Sequence, residues 1–288
     1  IGTSSGMSAI LLMCMALLKA GDHVICSQSM FGSTMNLIGK EFARFGVQSS
    51  FVSQTDAAAW QAALRPETRL MFVETPTNPL TDLCDIRALA DIAHGAGVLL
   101  AVDNCFASPA LQQPARWGAD LVIHSGTKFL DGQGRVMAGA VCGPRALIDD
   151  KLAPLIRSAG MNLSPFNAWA TLQGIETLPL RMDRICENAQ KIAETLQNHP
   201  KVEWVRYAGL PDHADHAVVQ RQMGGRASGI LSFGLKSSDA DPRAAGARFL
   251  DALQLFTRLV NIGDAKSLAT HPASTTHRQL NPEELAKA

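Results

Sequence analysis

The sequence predicts an α/β fold, with a mostly parallel sheet that carries helices on both faces and a smaller α+β region after it. In the first half, short strands that are apolar throughout alternate with helix-length segments, as in sheets covered on both sides. The 288 residues are 47% hydrophobic and 18% charged, which is enough apolar material for a sizeable core. No period of about 20 to 50 residues recurs, which argues against a repeat architecture. We expect one domain over residues 1–183 and a second over 184–288.

The elements of the first half are predicted from apolar runs that end at turn residues. Gly21, Gly46 and Gly97 each follow a helix-length segment and are typical helix stops. Residues 2–6 have no strong preference and are predicted to be a loop. The predicted helices are 7–18, 34–45 and 85–96, and the predicted strands are 22–26, 48–52, 69–74, 98–103 and 121–124.

The second half changes character, because long helical segments come first and strands follow. This order is typical of a small α+β domain. The predicted helices are 167–178, 182–198 and 242–255, and the predicted strands are 202–207 and 228–235.

Composition excludes several classes of protein. Lys plus Arg and Asp plus Glu both number 26, and this balance argues against a protein that binds nucleic acid or an anionic membrane. The longest apolar run, 7–18, is too short to span a bilayer and has no basic leader. The six cysteines form no C-x-x-C pair, which favours reduced thiols in the cytoplasm over disulfides or a zinc site. Because the chain begins with Ile1, we expect it to be part of a longer protein.

Chemically useful residues follow the predicted strands. In an open parallel sheet, ligands bind beyond the carboxyl ends of the strands. A further segment opens the first predicted helix, where free N–H groups can hold an anion. The segments are Ser4-Ser5-Gly6-Met7, Glu74-Thr75-Pro76-Thr77-Asn78-Pro79, Asp103-Asn104 and His124-Ser125-Gly126-Thr127-Lys128.

These groups together suggest one cofactor. The hydroxyls of Ser125 and Thr127 can join the helix N-terminus in binding a phosphate. Lys128 precedes two apolar residues, and an amine in such surroundings can act as a nucleophile. Asp103 ends a buried strand with no adjacent cation, so it needs a partner such as a protonated pyridine nitrogen. Phosphate, aldehyde and pyridinium describe pyridoxal phosphate, and Phe31 could stack on its ring.

Taken singly, each of these residues has an ordinary explanation. A lysine after Ser-x-Thr is usually solvated, a strand-end aspartate usually belongs to a turn, and a phenylalanine usually packs in a core. His213 and His216 have metal-like spacing, but a solvated loop explains them better than a metal site. A non-catalytic α/β scaffold is therefore the alternative from another class. The order and spacing of the segments favour the cofactor.

The chain resembles the Cys/Met-metabolism family of pyridoxal-phosphate enzymes, which includes γ-synthases, γ-lyases and homoserine-ester sulfhydrylases. The resemblance runs nearly end to end and implies the aspartate-aminotransferase-like fold, called fold type I. It implies a cofactor-binding large domain over 1–183 without its N-terminal segment, and an incomplete small domain over 184–288. Besides the strand-end segments, the matching motifs are Gly118-Ala119-Asp120-Leu121-Val122, Thr171-Leu172-Gln173-Gly174, Leu178-Pro179-Leu180-Arg181-Met182 and Ser267-Leu268-Ala269-Thr270-His271-Pro272-Ala273.

The resemblance also implies roles for individual residues. Lys128 would carry the cofactor and move protons, Asp103 would pair with the ring nitrogen, and Phe31 would stack on the ring. Asn78 would lie near the cofactor hydroxyl and the substrate carboxylate, and Ser267 would help to bind that carboxylate. The phosphate would be held by Ser5, Gly6, Met7, Ser125 and Thr127.

The activity implied by the resemblance is γ-replacement, in which sulfide displaces succinate from O-succinylhomoserine to form homocysteine in methionine biosynthesis. The motifs Phe31-Gly32-Ser33-Thr34 and Asp131-Gly132-Gln133-Gly134-Arg135 are most similar to the branch of the family with this chemistry. The alternatives are cysteine as the nucleophile, as in cystathionine γ-synthase, or water, as in a γ-lyase. The family implies a homotetramer of active dimers. Phe31 stands where most relatives carry tyrosine, so Lys128 or water would replace the missing hydroxyl.

Overall fold

The computed structural model describes residues 1–236 and 242–275, and a seven-stranded sheet lies at its centre. Two smaller sheets have two strands each. The strands are β1 (Gly2–Thr3), β2 (His23–Ser27), β3 (Gln48–Val52), β4 (Thr68–Glu74), β5 (Leu99–Asp103), β6 (Leu121–Ser125), β7 (Gly139–Cys142), β8 (Val202–Arg206), β9 (Ser232–Leu235), β10 (Thr257–Arg258) and β11 (Leu268–Ala269).

The α-helices surround this sheet and continue into the second half. They are α1 (Gly6–Leu17), α2 (Gly32–Asn36), α3 (Ala57–Ala62), α4 (Ile86–Gly95), α5 (Ser108–Leu111), α6 (Arg145–Leu147), α7 (Ala153–Ala159), α8 (Pro165–Glu176), α9 (Leu178–Gln197), α10 (His216–Met223) and α11 (Pro242–Asp251). Short 3₁₀ and π-helical turns lie between them.

The order of the strands indicates where along the sheet a ligand can bind. The order is β1-β7-β6-β5-β4-β2-β3, in which β2 to β6 are mutually parallel. β7 runs antiparallel to β6, and β1 pairs antiparallel with β7, so β1 has the same direction as the parallel strands. The chain passes from β2 outward to β3 and returns to β4 on the other side of β2. The strand order therefore reverses beside β2 and β4, and crevices form at the carboxyl ends of the strands at such a reversal.

Alternation along the strands divides the core into two layers and confirms the predicted α/β class. One layer packs with α1 and the other with α3 and α4. Because successive side chains point to opposite faces, Glu74, Asp103 and Ser125 fall on the α1 side. The buried strand residues of the α1 layer are Val24, Cys26, Leu70, Phe72, Ala101, Leu121, Ile123 and Val141, and those of the opposite layer are Ile25, Met71, Val73, Leu100, Val102 and Val122.

Two elements of the first half differ from the prediction. The predicted helix 34–45 is α-helical only in α2, and it continues as a π-helical turn over Leu37–Glu41 and a 3₁₀ turn over Phe42–Phe45. It ends as expected at Gly46, whose φ is +81°. The predicted loop 2–6 contains β1, which pairs with β7. A two-residue strand shows no periodicity, so its pairing is decided by the neighbouring strand.

The second half packs on the first through a shared core. Buried residues from α5 and the lysine-bearing turn contact α9 and α10 in one cluster. The boundary expected between 183 and 184 falls inside α9 and stays a prediction. The strand expected over 228–235 begins only at Ser232, and Ser228 has a φ of +72°, which is incompatible with an extended strand.

The cysteines and the apolar helices can be compared with the expectations from composition. All six cysteines are free thiols, and five of them are buried, whereas Cys142 is exposed. No helix in the described part of the chain is both long enough and apolar enough to cross a membrane.

Candidate active site

Two buried carboxylates lie side by side at the ends of neighbouring strands. Glu74 ends β4 and pairs in register with Asp103 at the end of β5. Asp103 Oδ1 accepts a hydrogen bond from the backbone N–H of Cys105 at 3.0 Å. Glu74 Oε2 accepts one from the backbone N–H of Phe31 at 2.8 Å, whereas Glu74 Oε1 has no hydrogen-bond partner among the described residues.

Burial changes the protonation of both groups. It raises the pKa of Asp103 from 3.8 to about 7, against the smaller opposing effect of the Cys105 N–H. It raises the pKa of Glu74 well above its ordinary value, and the charge of Asp103 raises it further. In residues 1–236 and 242–275, no salt bridge pairs either carboxylate with a cation. A cationic group that binds here would gain a charged hydrogen bond and stabilise the ionised form of the acid.

The first turn of α1 packs closely against the end of β6. Ser5 caps α1, and its hydroxyl oxygen accepts from the N–H of Ser8 at 3.1 Å. A Cβ atom added to Gly6 would lie 2.8 Å from the Cβ of Ser125, so only glycine allows this approach. The N–H groups of Gly6 and Met7 belong to the first turn, which has no acceptors within the helix. The first turn of α1 and the Ser125 hydroxyl can therefore serve one anion.

The other two residues expected in this anion site have their own contacts. Met7 is half-buried, and its Sδ accepts from the hydroxyl of Thr34 at 3.7 Å. The Thr127 hydroxyl accepts from the N–H of Ala138 at 3.1 Å and donates to the Ala138 carbonyl at 3.3 Å. Thr127 can donate to an anion only by giving up the longer of these two bonds.

Lys128 lies in a kinked turn that the second half of the chain contacts. Its backbone φ of −94° and ψ of −126° interrupt the π-helical turn Gly126–Leu130. Its Nζ donates to Oδ1 of Asn261 at 2.9 Å. A Cβ atom on Gly263 would lie 2.9 Å from the Cα of Lys128, so this segment passes directly over the lysine backbone.

Charged side chains hold the same turn in place. Asp131 is fully buried and pairs with Arg135 at 2.9 Å. Arg181, from α9, donates to the carbonyl of Phe129 at 2.8 Å and to that of Gly174 at 2.7 Å. The amine of Lys128 is therefore carried on a backbone fixed from several sides.

The remaining predicted residues lie around these groups. The ring of Phe31 is half-exposed at the start of α2, and its backbone is tied to Glu74. Asn78 is exposed in the loop after β4. Ser267 is exposed just before β11, and its carbonyl accepts from the N–H of Thr257 at 2.9 Å. No hydrogen bond in the described ranges joins the side chains of Asn78 or Ser267 to Asp103 or Lys128.

The loop that carries Asn78 is anchored to the second half of the chain. Asp215 accepts from the N–H of Leu83 at 2.8 Å, and Arg221 pairs with Asp85 at 2.6 Å. A buried network of Gln222, Gln112 and Asn104 continues this contact to the carbonyl of Thr75, next to Glu74. The position of the loop thus depends on segments about 130 residues away.

Sequence reasoning missed three groups of this site. Glu74 could have been recognised by the argument used for Asp103, because it also ends an apolar strand without an adjacent cation. Cys105 is a buried thiol whose pKa is raised by burial and by the neighbouring Asp103 and Glu74. Asn261 had no recognisable signal, since its contact with Lys128 spans 133 residues of sequence.

His124 and His213 have ordinary surroundings. Burial lowers the pKa of His124, in β6, to about 4, so it is neutral near pH 7. His213 lies with Asp82 and Asp215 in a group whose ligand atoms are within 4.8 Å of one another. Its Nδ1 accepts from the backbone N–H of Asp215, and Arg206 lies 3.7 Å from Asp82. Asp82, His213 and Asp215 thus each have a partner within the protein.

The arrangement fits pyridoxal phosphate. A cradle that a Cβ at Gly6 would fill is suited to the phosphate, and the buried Asp103 lacks the cation that a ring nitrogen would supply. A lysine on a fixed turn provides the amine. A mostly parallel sheet that brings these three groups to its carboxyl edge defines the class of pyridoxal-phosphate enzymes.

Comparison with known proteins identifies the family. The profile of the "Cys/Met metabolism PLP-dependent enzyme" family matches residues 1–288, and the chain belongs to this family. Its cofactor is pyridoxal phosphate, as both the residues and the resemblance had predicted.

Relatives of different named activities are similar to this chain. An O-succinylhomoserine sulfhydrylase of Pseudomonas aeruginosa is 50% identical over 288 residues, which are all of this chain and 70% of the relative. An L-methionine γ-lyase of Pseudomonas deceptionensis is 44% identical over all of this chain and 71% of its own length. The crystal structure of metB from Corynebacterium glutamicum superimposes with a TM-score of 0.91 at 38% identity, covering 96% of this chain and 71% of that one.

Proposed function

We propose that the protein catalyses γ-replacement on O-succinylhomoserine, with sulfide as the nucleophile and homocysteine and succinate as products. The observation that supports this reaction most directly is the 50% identity, over the whole chain, to an O-succinylhomoserine sulfhydrylase. The similarity to a methionine γ-lyase shows that the same scaffold also serves elimination, so the nucleophile must be tested.

We assign different residues to different parts of the cofactor. Asp103 would bind the ring nitrogen, Lys128 would bind the aldehyde carbon, and the first turn of α1 with Ser5 and Ser125 would bind the phosphate. Thr127 adds a hydroxyl if it exchanges its bond to Ala138. When bound, the cofactor withdraws electrons from the substrate Cα and makes its hydrogen acidic.

Lys128 is the residue that moves protons. Its amine is held at 2.9 Å from Asn261, and this contact positions it for transfer when substrate is present. Phe31 provides a ring face without a hydroxyl, so it cannot donate a proton to the leaving succinate. Lys128 or a water molecule takes that role.

The exposed loop residues serve the amino-acid substrate. We assign the substrate carboxylate to Asn78 and Ser267, which lie in segments contacted by both halves of the chain. The product contributes to methionine biosynthesis in this proposal.

A product assay tests the reaction. The protein, with pyridoxal phosphate added, is incubated with O-succinylhomoserine and sulfide, with the same ester and cysteine, and with the ester alone. Homocysteine and succinate in equal amounts from the first mixture support the proposal. Cystathionine from the second as the faster product, or 2-oxobutanoate from the third, would assign the protein to one of the alternatives. Cofactor binding without turnover in any mixture would favour the inert scaffold, and O-acetylhomoserine serves as the control for the leaving group.

We also propose a homo-oligomer built from active dimers. The apolar stripe of α8, defined by Phe166, Trp169 and Leu172, is exposed on the surface of the single chain. Exposed apolar surface next to a functional site is typical of contacts between subunits.

A further inference from the structure

Glu74 is a buried acid that the proposed reaction does not use. Its residue is 2% exposed, and one of its carboxylate oxygens has no partner among the described residues. Burying a carboxylate costs free energy unless its oxygens accept hydrogen bonds, so we expect Glu74 to have a role beside Asp103.

The one hydrogen bond of Glu74 connects two distant segments. Its Oε2 accepts from the N–H of Phe31, 43 residues earlier, at the start of α2. Helix α2 has no side-chain cap at this position, and the carbonyl of Phe31 bonds only within its own turn, to Thr34 and Met35. In the described part of the chain, Glu74 is therefore the group that ties the backbone of Phe31 to the sheet.

The register places this tie next to the acid of the cofactor site. Glu74 and Asp103 are partners on adjacent parallel strands, about 4.8 Å apart in the hydrogen-bonding direction, with side chains on the same face. Two ionised carboxylates at this separation would repel each other strongly in a buried site. Only one of them can carry the charge that a ring nitrogen requires.

We propose that Glu74 is a positioning residue with two effects. It fixes the backbone of Phe31, so that the phenyl ring stands over the cofactor, and it stays neutral, so that Asp103 is the charged carboxylate. A proton on Oε1 makes Glu74 neutral, while Oε2 continues to accept from the N–H of Phe31. This inference rests on the proposed placement of the cofactor between Asp103 and Phe31.

Glutamine imitates such a neutral acid. Its carbonyl oxygen can accept from the Phe31 N–H, and its amide carries no charge. Alanine removes the hydrogen bond to Phe31. Aspartate keeps the carboxyl group but is one methylene shorter, so it loses the reach to Phe31. The three substitutions therefore separate the hydrogen bond to Phe31 from the carboxyl group itself.

The first experiment measures amide exchange in the cofactor-free protein, so it is independent of any activity. We expect Glu74→Gln to protect the amides of residues 28–36 as the parent does. We expect Glu74→Ala and Glu74→Asp to exchange the Phe31 amide about tenfold faster or more, as the loss of a hydrogen bond to a carboxyl group predicts. Val73→Ala, on the same strand but the opposite face, is the control and should leave this segment unchanged.

The second experiment measures cofactor affinity by titrating pyridoxal phosphate and following its visible absorbance. Glu74→Gln should bind within a few-fold of the parent, and Glu74→Ala about tenfold or more weakly. The proposal is overturned if Glu74→Ala matches the parent in both experiments, or if Glu74→Gln is as impaired as Glu74→Ala. If Glu74→Ala does not fold, the comparison of Glu74→Gln with Glu74→Asp gives the same decision. A failure of the sulfide reaction would change none of these readouts.

Discussion

At the scale of single residues, the site depends on an amine and a carboxylate with different physical requirements. Lys128 needs a fixed backbone, which Arg181 and Gly263 provide by contacting its turn. Asp103 needs a cationic partner to be ionised, because burial raises its pKa to about 7 against the opposing hydrogen bond from Cys105. The role of Lys128 can be tested by reaction rates, and that of Asp103 by the pH dependence of stability.

Replacing Lys128 with alanine should remove the amine to which we assign cofactor binding and proton transfer. We expect the rate of product formation to fall by about 10²-fold to 10⁴-fold, the range typical for loss of a proton-transfer group. Steady-state rates and the visible spectrum of the bound cofactor are the measurements. Lys151→Ala, at an exposed lysine of the same chain, is the control. A Lys128→Ala variant with parental rate and spectrum would contradict the assignment.

Asp103 should make the stability of the cofactor-free protein depend on pH. The folded chain retains a proton up to about pH 7, whereas an unfolded aspartate loses it near 3.8. The folded state therefore binds more protons in this range, and the Asp103 contribution to the free energy of unfolding falls as pH rises from about 4 to 7. Asp103→Asn removes this contribution, so its stability relative to the parent should increase over the same range. Denaturant unfolding at several pH values measures the difference.

His124 provides an internal check on this experiment. Its folded pKa of about 4 lies below the ordinary 6.5, so its contribution is lost as pH falls through that window. This effect has the opposite sign to that of Asp103 and is common to the parent and the variant. A difference between the two proteins that stays constant from pH 4 to 7 would contradict the raised pKa of Asp103.

At the scale of elements, the anion cradle depends on how closely α1 approaches β6. Gly6→Ala would place a Cβ at 2.8 Å from that of Ser125. Relieving this overlap must separate the helix from the strand, and overpacking of this kind typically costs about 1–3 kcal/mol. We expect cofactor affinity to fall about tenfold, measured by the same absorbance titration. Gly95→Ala, in α4, is the matched control, because a Cβ there meets no atom within 4 Å. Equal affinities in the two variants would exclude a role for this approach.

The elements that were predicted correctly are those with a local cause. The strand over 48–52 is bounded by a glycine stop and has the predicted ends. Over so few residues, the hydrophobic periodicity of the π-helical and 3₁₀ turns after α2 cannot be told from that of an α-helix. The segment was therefore predicted as one helix. Strand-end reasoning predicted that Asp103, Ser125 and Lys128 lie at one edge of the sheet, because parallel strands bring their carboxyl ends together. Asp103 and Ser125 do end β5 and β6, and Lys128 lies in the turn after β6, whereas their roles stay predictions.

Two contacts of the site that were missed have long-range causes. Asn261 reaches Lys128 only through the fold of the second half, and no local pattern in its sequence indicates that contact. The contact of Glu74 with Phe31 also depends on the order of β2 and β4 in the sheet, which the sequence did not establish.

At the scale of the whole molecule, the apolar stripe of α8 is the surface from which association should be tested. Phe166, Trp169 and Leu172 are 67%, 58% and 59% exposed, and the opposite face of α8 packs against the lysine-bearing turn. We expect Trp169→Glu to shift the sedimentation-derived mass toward smaller species, because a charge is costly in an apolar interface. Trp204→Glu, at another exposed tryptophan, is the control. An unchanged mass for Trp169→Glu would move the interface elsewhere.

The contact between Lys128 and Asn261 also has a consequence for the order of events during synthesis. The amine and the amide that holds it are made 133 residues apart, and Gly263 closes over the lysine backbone from the same late segment. A nascent chain that has emerged only as far as β7 has its sheet and its acids but lacks this support. Binding of pyridoxal phosphate to Lys128 should therefore wait until the segment with Asn261 and Gly263 has left the ribosome, since non-local contacts form late in folding.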